Sequence, residues 1–319
     1  MLSVFPPAPD SPSDAIWSGA VWIDMLAPDA ATRLSVAVAT GLHVPTRDEL
    51  SEIESSSRLS RRGEALYLSM PGLVHTEAGE TGSQPVGFVL SPDRLLTVRF
   101  ARQRAFETYA ARCGAGLAQD ASSVGLLLGL CETLVDRIAD VLEREGEELD
   151  GVSRRVFRAA PRRGQPRRAE IELRAMLRTV GRVGDLVSKA RDTLLGLGRM
   201  IPFVLANTPW ITSEQKTRFK TLRADIVSLN DYDSHLAGKV QFLMEAIIGF
   251  IGIEQSNIIR VLTVVSVVGV PPTFFASLWG MNYRSMPELD WAWGYPMALG
   301  IILLSAVLPI VLFRVRGWL

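Results

Sequence analysis

Hydrophobic and polar positions follow three successive rhythms along the 319 residues. Up to about residue 115, short apolar runs alternate with Gly, Pro and Ser turns. Residues 16–24, 66–74, 86–90 and 94–100 read as strands, rich in aromatic and β-branched side chains. A helical region lies between the first and second of these. Within it, Pro45-Thr46-Arg47-Asp48-Glu49-Leu50 places a capping residue and acids at the start of a short helix. Residues 1–13, rich in Pro, Ser and Asp, predict a loose tail. The period then becomes helical. Leu127, Leu130, Leu134, Ile138, Val141 and Leu142 mark one helix over 124–156. Ile171, Leu173, Met176, Val180, Val183, Leu186, Leu194 and Leu197 mark a second over 169–200. Pro161, Gly164 and Pro166 separate them into an antiparallel hairpin. A last helix starts near Thr212, where Thr212 and Gln215 have capping-box spacing. Its apolar positions, from Phe219, Leu222 and Ile226 to Ile258, continue without a proline until Pro271. At about 1.5 Å per residue it is about 90–100 Å long. No small domain buries such a rod, so it requires parallel copies of itself.

The third rhythm is continuous apolarity. Residues 261–283 and 291–313 contain no charge. Each run matches the roughly 20-residue helix that crosses a hydrocarbon core of about 30 Å. A buried soluble helix can be equally apolar, but two such runs in succession favour a membrane hairpin. They also explain a mean hydropathy of +0.19 in a chain with 21% charged residues. Trp279, Tyr283, Trp291, Trp293 and Tyr295 cluster at the inner ends as an interfacial belt would. Arg260 precedes the first run, and Arg314 and Arg316 follow the second. Positive flanks at both outer ends predict cytoplasmic N- and C-termini, an external loop and a cytosolic N-terminal part. Residues 1–10 show no charged-then-apolar leader. The expected fold class is an α+β cytosolic domain, then a long stalk helix and two C-terminal transmembrane helices. The expected boundaries are a tail at 1–13, an α/β domain at 14–115, a helical hairpin at 116–208 and a stalk at 209–257. Spans at 258–279 and 293–313 then flank an external loop at 280–292, and a tail follows at 314–319.

Charge and chemistry narrow the functional classes. Lys+Arg 34 against Asp+Glu 34 excludes a globally basic nucleic-acid binder. Cys113 and Cys131 are too few for a disulfide scaffold, and His43, His75 and His235 lack metal-ligand spacing. No Gly-rich phosphate loop or nucleophile elbow appears, and Asp24 and Glu54 read as isolated acids that cap or solvate. An enzyme and a bound cofactor are therefore not expected. Arg154, Arg155, Arg158, Arg162, Arg163, Arg167 and Arg168 cluster at the hairpin tip. Two readings stay open there, a solvated tip or contact with acidic lipid headgroups. Phe157 is the one aromatic among them in the sequence, too few for a run of nucleic-acid stacking platforms.

Along the first span, Ile259, Leu262, Ser266, Val270, Thr273 and Ser277 follow one another at steps of three or four and lead to Gly280 and Met281. Small and hydroxyl residues on one face pack membrane helices together. Alternatively, the stripe faces a central water path between symmetry-related copies. Neither span holds an ionisable residue, which disfavours a proton relay or a stripped-ion site. Hydroxyls and carbonyls suit an ion that keeps its water, and Mg²⁺ is reluctant to dehydrate. Asn282 follows the stripe, where its amide oxygen could accept from a metal-bound water.

Gly280-Met281-Asn282 is the tripeptide that marks the CorA family of magnesium and divalent-cation transporters. Met286-Pro287-Glu288-Leu289, Trp293-Gly294-Tyr295-Pro296 and the ending Gly317-Trp318-Leu319 add to it. Over residues 243–319 the chain strongly resembles that family, and Glu54-Ser55-Ser56-Ser57-Arg58-Leu59 is similar to a segment of its cytosolic domain. The resemblance implies a homopentamer in the inner membrane with a funnel-shaped cytosolic part, surrounded by lipid. The first span would line the pore. A ring of Gly280, Met281 and Asn282 would bind hydrated cation outside, beside the loop acids Glu288 and Asp290. Ile259 and Leu262 would form a hydrophobic constriction. The expected cargo is Mg²⁺, with Co²⁺ or Ni²⁺ as further cations, and a divalent cation is also the expected regulatory ligand. Glu245 and Asp93 are the candidates for such a cytosolic sensing site. A zinc transporter of the related ZntB branch, proton-coupled or not, is the alternative, and a membrane-tethered scaffold is another. The chain departs from the family in its few C-terminal basic residues and its Arg-rich tip.

Overall fold

The structure is a computed structural model of the chain. It describes residues 2–5, 19–52, 54, 58–75, 81–158, 166–281, 286 and 291–317. These form two compact units: Met1–Arg158 with Leu177–Met244, and Ala159–Met176 with Glu245–Leu319. The arginines of the hairpin tip at 162 and 163, and Ser55 to Ser57 of the expected family segment, lie outside the described residues.

The first unit begins with a six-stranded sheet. Its strands are β1 (Leu2–Phe5), β2 (Trp22–Leu26), β3 (Leu59–Arg62), β4 (Ala65–His75), β5 (Thr81–Leu90) and β6 (Leu95–Arg99). The order is β1-β2-β6-β5-β4-β3. All neighbours are antiparallel except β2 and β6. The β5–β6 turn is held by Ser91, whose Oγ accepts from the Arg94 amide at 3.1 Å. The apolar run at 16–24 yields a strand only from Trp22 onwards, and residues 16–18 lie outside the described residues. Two strands differ from expectation. Leu2–Phe5, expected in a loose tail, pairs antiparallel with β2. Four residues are too short for alternation to stand out beside the Pro-rich stretch that follows. β3 likewise carries no apolar alternation, because Arg61 and Arg62 are exposed on an edge strand, where charge discourages pairing with another sheet.

Both faces of the sheet are covered. On one side Ile23, Met25, Val89, Leu96 and Val98 pack with Val36 and Leu50. Val36 belongs to α1 (Ala30–Thr40), capped by Asp29 and closed by Gly41 at φ 69°, a left-handed stop that favours glycine. Leu50 belongs to α2 (Arg47–Ser51). Its capping box is formed as expected: the Thr46 amide donates to Glu49 at 2.6 Å, and the Glu49 amide to Thr46 Oγ1 at 3.3 Å. The opposite face carries a buried polar chain. Trp22 Nε1 donates to Thr97 Oγ1 at 3.1 Å, Thr97 Oγ1 to Asp24 at 2.7 Å, and Arg99 Nη2 to Asp24 at 2.8 Å. Arg99 also lies 5.0 Å from the centre of the Phe106 ring in α3 (Arg104–Gly114). Asp24 is thus a correction to the reading of a solvated or capping acid, being only 2% exposed. Period-two alternation sets it beside Trp22, and the parallel register places Thr97 opposite.

Three helices complete the unit: α4 (Ser123–Arg158), α5 (Pro166–Asn207) and α6 (Ser213–Trp279). Pro166 opens α5, a position where the missing amide costs nothing. The α6 start has its box, with the Thr212 amide donating to Gln215 at 3.0 Å and the Gln215 amide to Thr212 at 3.2 Å. Apolar faces meet at Val180, Leu194, Leu197, Phe219, Leu222 and Ile226, all buried. Gly196 lets α5 approach β4 closely: a Cβ there would lie 2.8 Å from Met70 Cβ. Ion pairs cross between the helices. Arg182 of α5 bridges Glu145 and Glu148 of α4, Arg218 of α6 meets Glu132 at 2.7 Å, and Lys239 meets Asp150 at 2.6 Å. Arg191 donates to the fully buried Asp233 at 2.8 Å. Burial pushes the Asp233 carboxyl above its usual range, against the opposing pull of Arg191.

In the second unit, α6 continues through Pro271 and Pro272, and α7 spans Gly294–Val315. Both are long and apolar enough to cross a membrane. Large apolar side chains stay uncovered here, among them Val265 and Phe274 on α6 and Leu303 and Leu308 on α7. Water does not tolerate so extended an apolar surface, whereas a hydrocarbon core does.

Candidate pore helix and cation mouth

The expected stripe lies on one continuous helix, and all six of its residues are exposed: Ile259, Leu262, Ser266, Val270, Thr273 and Ser277. Their exposure follows a side. Val264, Val268, Pro271, Phe275 and Trp279 are half-buried. At 100° per residue this second face lies diametrically across the helix from the stripe. A matching half-buried series runs along α7 at Ala298, Ile302, Ser305 and Pro309. The helix therefore has one covered side of bulky residues, and the stripe lies opposite it within a broad uncovered surface that also carries Val265, Val267 and Phe274. The sequence reading found the stripe but not the covered side, whose signal was the same three-to-four spacing.

The hydroxyls are partly engaged. Thr263 Oγ1 donates to the Ile259 carbonyl and Thr273 Oγ1 to the Gly269 carbonyl, each at 2.8 Å. Each keeps lone pairs available to a hydrated ion. Pro271 and Pro272 have no amide hydrogen, so the carbonyls of Val267 and Val268 lose their ordinary helical donors. Two backbone acceptors in mid-span must find water or another partner.

At the end of α6 the Gly280 amide still donates to the Ala276 carbonyl at 3.0 Å. A Cβ at Gly280 would approach that oxygen to 3.1 Å, so the small residue serves the tight last turn. Met281 is exposed just beyond. Asn282, Glu288 and Asp290 lie outside the described residues. Past the loop, Trp291, Trp293 and Tyr295 are exposed around the start of α7, where an aromatic belt is expected. The two candidate sensing acids fall in different units: Asp93 is exposed in the β5–β6 turn, and Glu245 is exposed on α6. Among the described residues no group of three His, Cys, Asp or Glu side chains could hold a metal ion.

Comparison with known proteins bears on this arrangement. The family model described as CorA-like Mg2+ transporter protein matches residues 17–315. The magnesium transport protein CorA of Escherichia coli (strain K12) is 34% identical over 300 residues, 94% of this chain and 92% of its own length. Among solved structures, the complete CorA magnesium transporter from Methanocaldococcus jannaschii superposes with a TM-score of 0.67 at 17% identity. That match covers 93% of this chain and 91% of that one. The full-length CmaX protein gives a TM-score of 0.66 at 18% identity, covering 93% and 88%.

Proposed function

The chain belongs to the CorA-like Mg2+ transporter family, and from that premise we propose that it carries Mg²⁺ across the inner membrane as a homopentamer. Five copies bring the open side of α6 together around a water-filled axis, with α7 outside against lipid. Ser266, Thr273 and Ser277 supply hydroxyls along the path, and Val270 separates them. Ile259 and Leu262 narrow it into an apolar constriction that closes by excluding water. Outside, five copies of Gly280, Met281 and Asn282 form the mouth. Asn282 amide oxygens accept from the coordinated waters of the ion, and Glu288 and Asp290 raise the local cation concentration. With both termini cytoplasmic and the interior negative, the membrane potential favours uptake by about 4.6 kcal/mol per 100 mV for a double charge. Glu245 and Asp93 from adjacent copies bind regulatory cation in the cytosol.

The observation that carries this reading is the hydroxyl stripe of α6, which lies directly opposite the side its own chain covers. The test is flux in proteoliposomes for the wild type and Asn282→Ala, with Mg²⁺, Co²⁺, Ni²⁺ and Zn²⁺. Asn282→Ala should lower Mg²⁺ uptake at least tenfold without changing assembly. Equal flux in the two proteins would overturn the assignment. Uptake of Zn²⁺ alone, driven by a pH gradient, would replace Mg²⁺ with the zinc reading.

A further inference from the structure

The proline pair of α6 frees two carbonyls, and they do not share a side. Val267 lies on the uncovered surface, 41% exposed, whereas Val268 belongs to the half-buried series. Successive residues of a helix stand about 100° apart, so of the two only Val268 is carried on the face turned from the stripe. In a hydrocarbon core a carbonyl freed by proline is satisfied by a neighbouring helix, a hydroxyl or a water. The other span, α7, falls in the same compact unit.

The half-buried residues of the two spans keep the same steps. Val264, Val268, Pro271 and Phe275 advance by four, three and four, and Pro309, Ser305, Ile302 and Ala298 descend by four, three and four. Laid antiparallel in that register, Trp279 at the end of α6 comes level with Gly294 at the start of α7, as a hairpin requires. Ser305 then comes level with Val268. Ser305 is the only serine or threonine of α7, and its Oγ donates to the Ile302 carbonyl at 2.7 Å. Pro309 has no amide hydrogen, so the Ser305 carbonyl loses its helical donor and α7 is loosened at the same depth.

We propose that Ser305 is a hydroxyl latch on the proline turn of the first span. Rotation about its χ1 moves its one hydroxyl hydrogen from the Ile302 carbonyl to the Val268 carbonyl. Latched, α7 supplies the donor that Pro272 removes and holds the turn. Released, with the hydroxyl on Ile302 as in the structure, α6 is free to bend at the prolines, where helices kink. Its inner half, with Ile259 and Leu262, then changes angle against its outer half, with Thr273 and Ser277. Val267 stays on the other flank, so the two prolines play separate parts. The inference rests on the two spans and not on the ion they carry.

The test is a double-mutant cycle on the full chain, in one detergent at one heating rate, read as melting temperature. Ser305→Ala should lower it by about 2–4 °C. Pro272→Ala returns an amide donor to the Val268 carbonyl, so in that background Ser305→Ala should lose most of its effect. Pro271→Ala returns a donor to Val267 instead and should leave the effect of Ser305→Ala whole. The difference between the two proline backgrounds is the readout that a packing role would not move. An equal loss in all three backgrounds, or no loss in the wild type, would overturn the latch. So would suppression of the loss in the Pro271→Ala background.

Discussion

Asp233 sits fully buried on α6 with one oxygen on Arg191 and the other without a partner. Burial raises its pKa in the folded state, so folding is favoured when the carboxyl is protonated. That contribution is complete below the unfolded value of about 3.9 and is lost as pH rises through the raised folded value. The melting temperature of the wild type relative to Asp233→Asn should therefore climb as pH falls from neutral into the acid range. A difference that stays flat with pH, in parallel thermal scans, would refute the assignment. Such residues are poorly legible in sequence. Asp24 and Asp233 look like any other acid until the register of β2 with β6, or the packing of α5 on α6, removes their water. Gly280 and Met281 were legible because a tripeptide at the end of an apolar run is a local pattern.

At the scale of elements, periodicity carried the reading. The three long helices, the caps at Thr46 and Thr212, the strands β4 and β6 and the second half of β5, residues 86–90, follow directly from spacing and turn residues, whereas the first half of β5 does not. β1 and β3 escaped because an edge strand of four residues is stabilised by its neighbour rather than by its own alternation. The face pattern of α6 can be checked by cross-linking. Ser266→Cys, on the open stripe, should form disulfides between subunits in the membrane on mild oxidation. Val268→Cys, on the covered side, should not. Equal cross-linking at both positions, read on a non-reducing gel, would contradict the arrangement of faces.

At the scale of the whole molecule, the sequence predicts copies of the long helix packed together, yet the apolar face of its first half is buried within the chain itself at Phe219, Leu222, Ile226, Leu236 and Leu243, so five copies are a proposal. Native mass spectrometry in mild detergent should give a mass five times 35.0 kDa. A monomer would remove the basis for an axial path. The stripe could be read because it repeats at three-to-four spacing on one helix. The division into units could not. The sheet is assembled from residues before 100, yet part of its helical cover comes from 177–244.

That late cover has a consequence for biosynthesis. The ribosome makes the sheet and its first covering helices, α1 to α3, before residue 115, whereas α5 and the first half of α6 complete the unit much later. The apolar hairpin follows at once. Slowing elongation between codons 177 and 244 should lengthen the time for which the first unit stays incomplete, and the yield of inserted protein is where the cost would be seen.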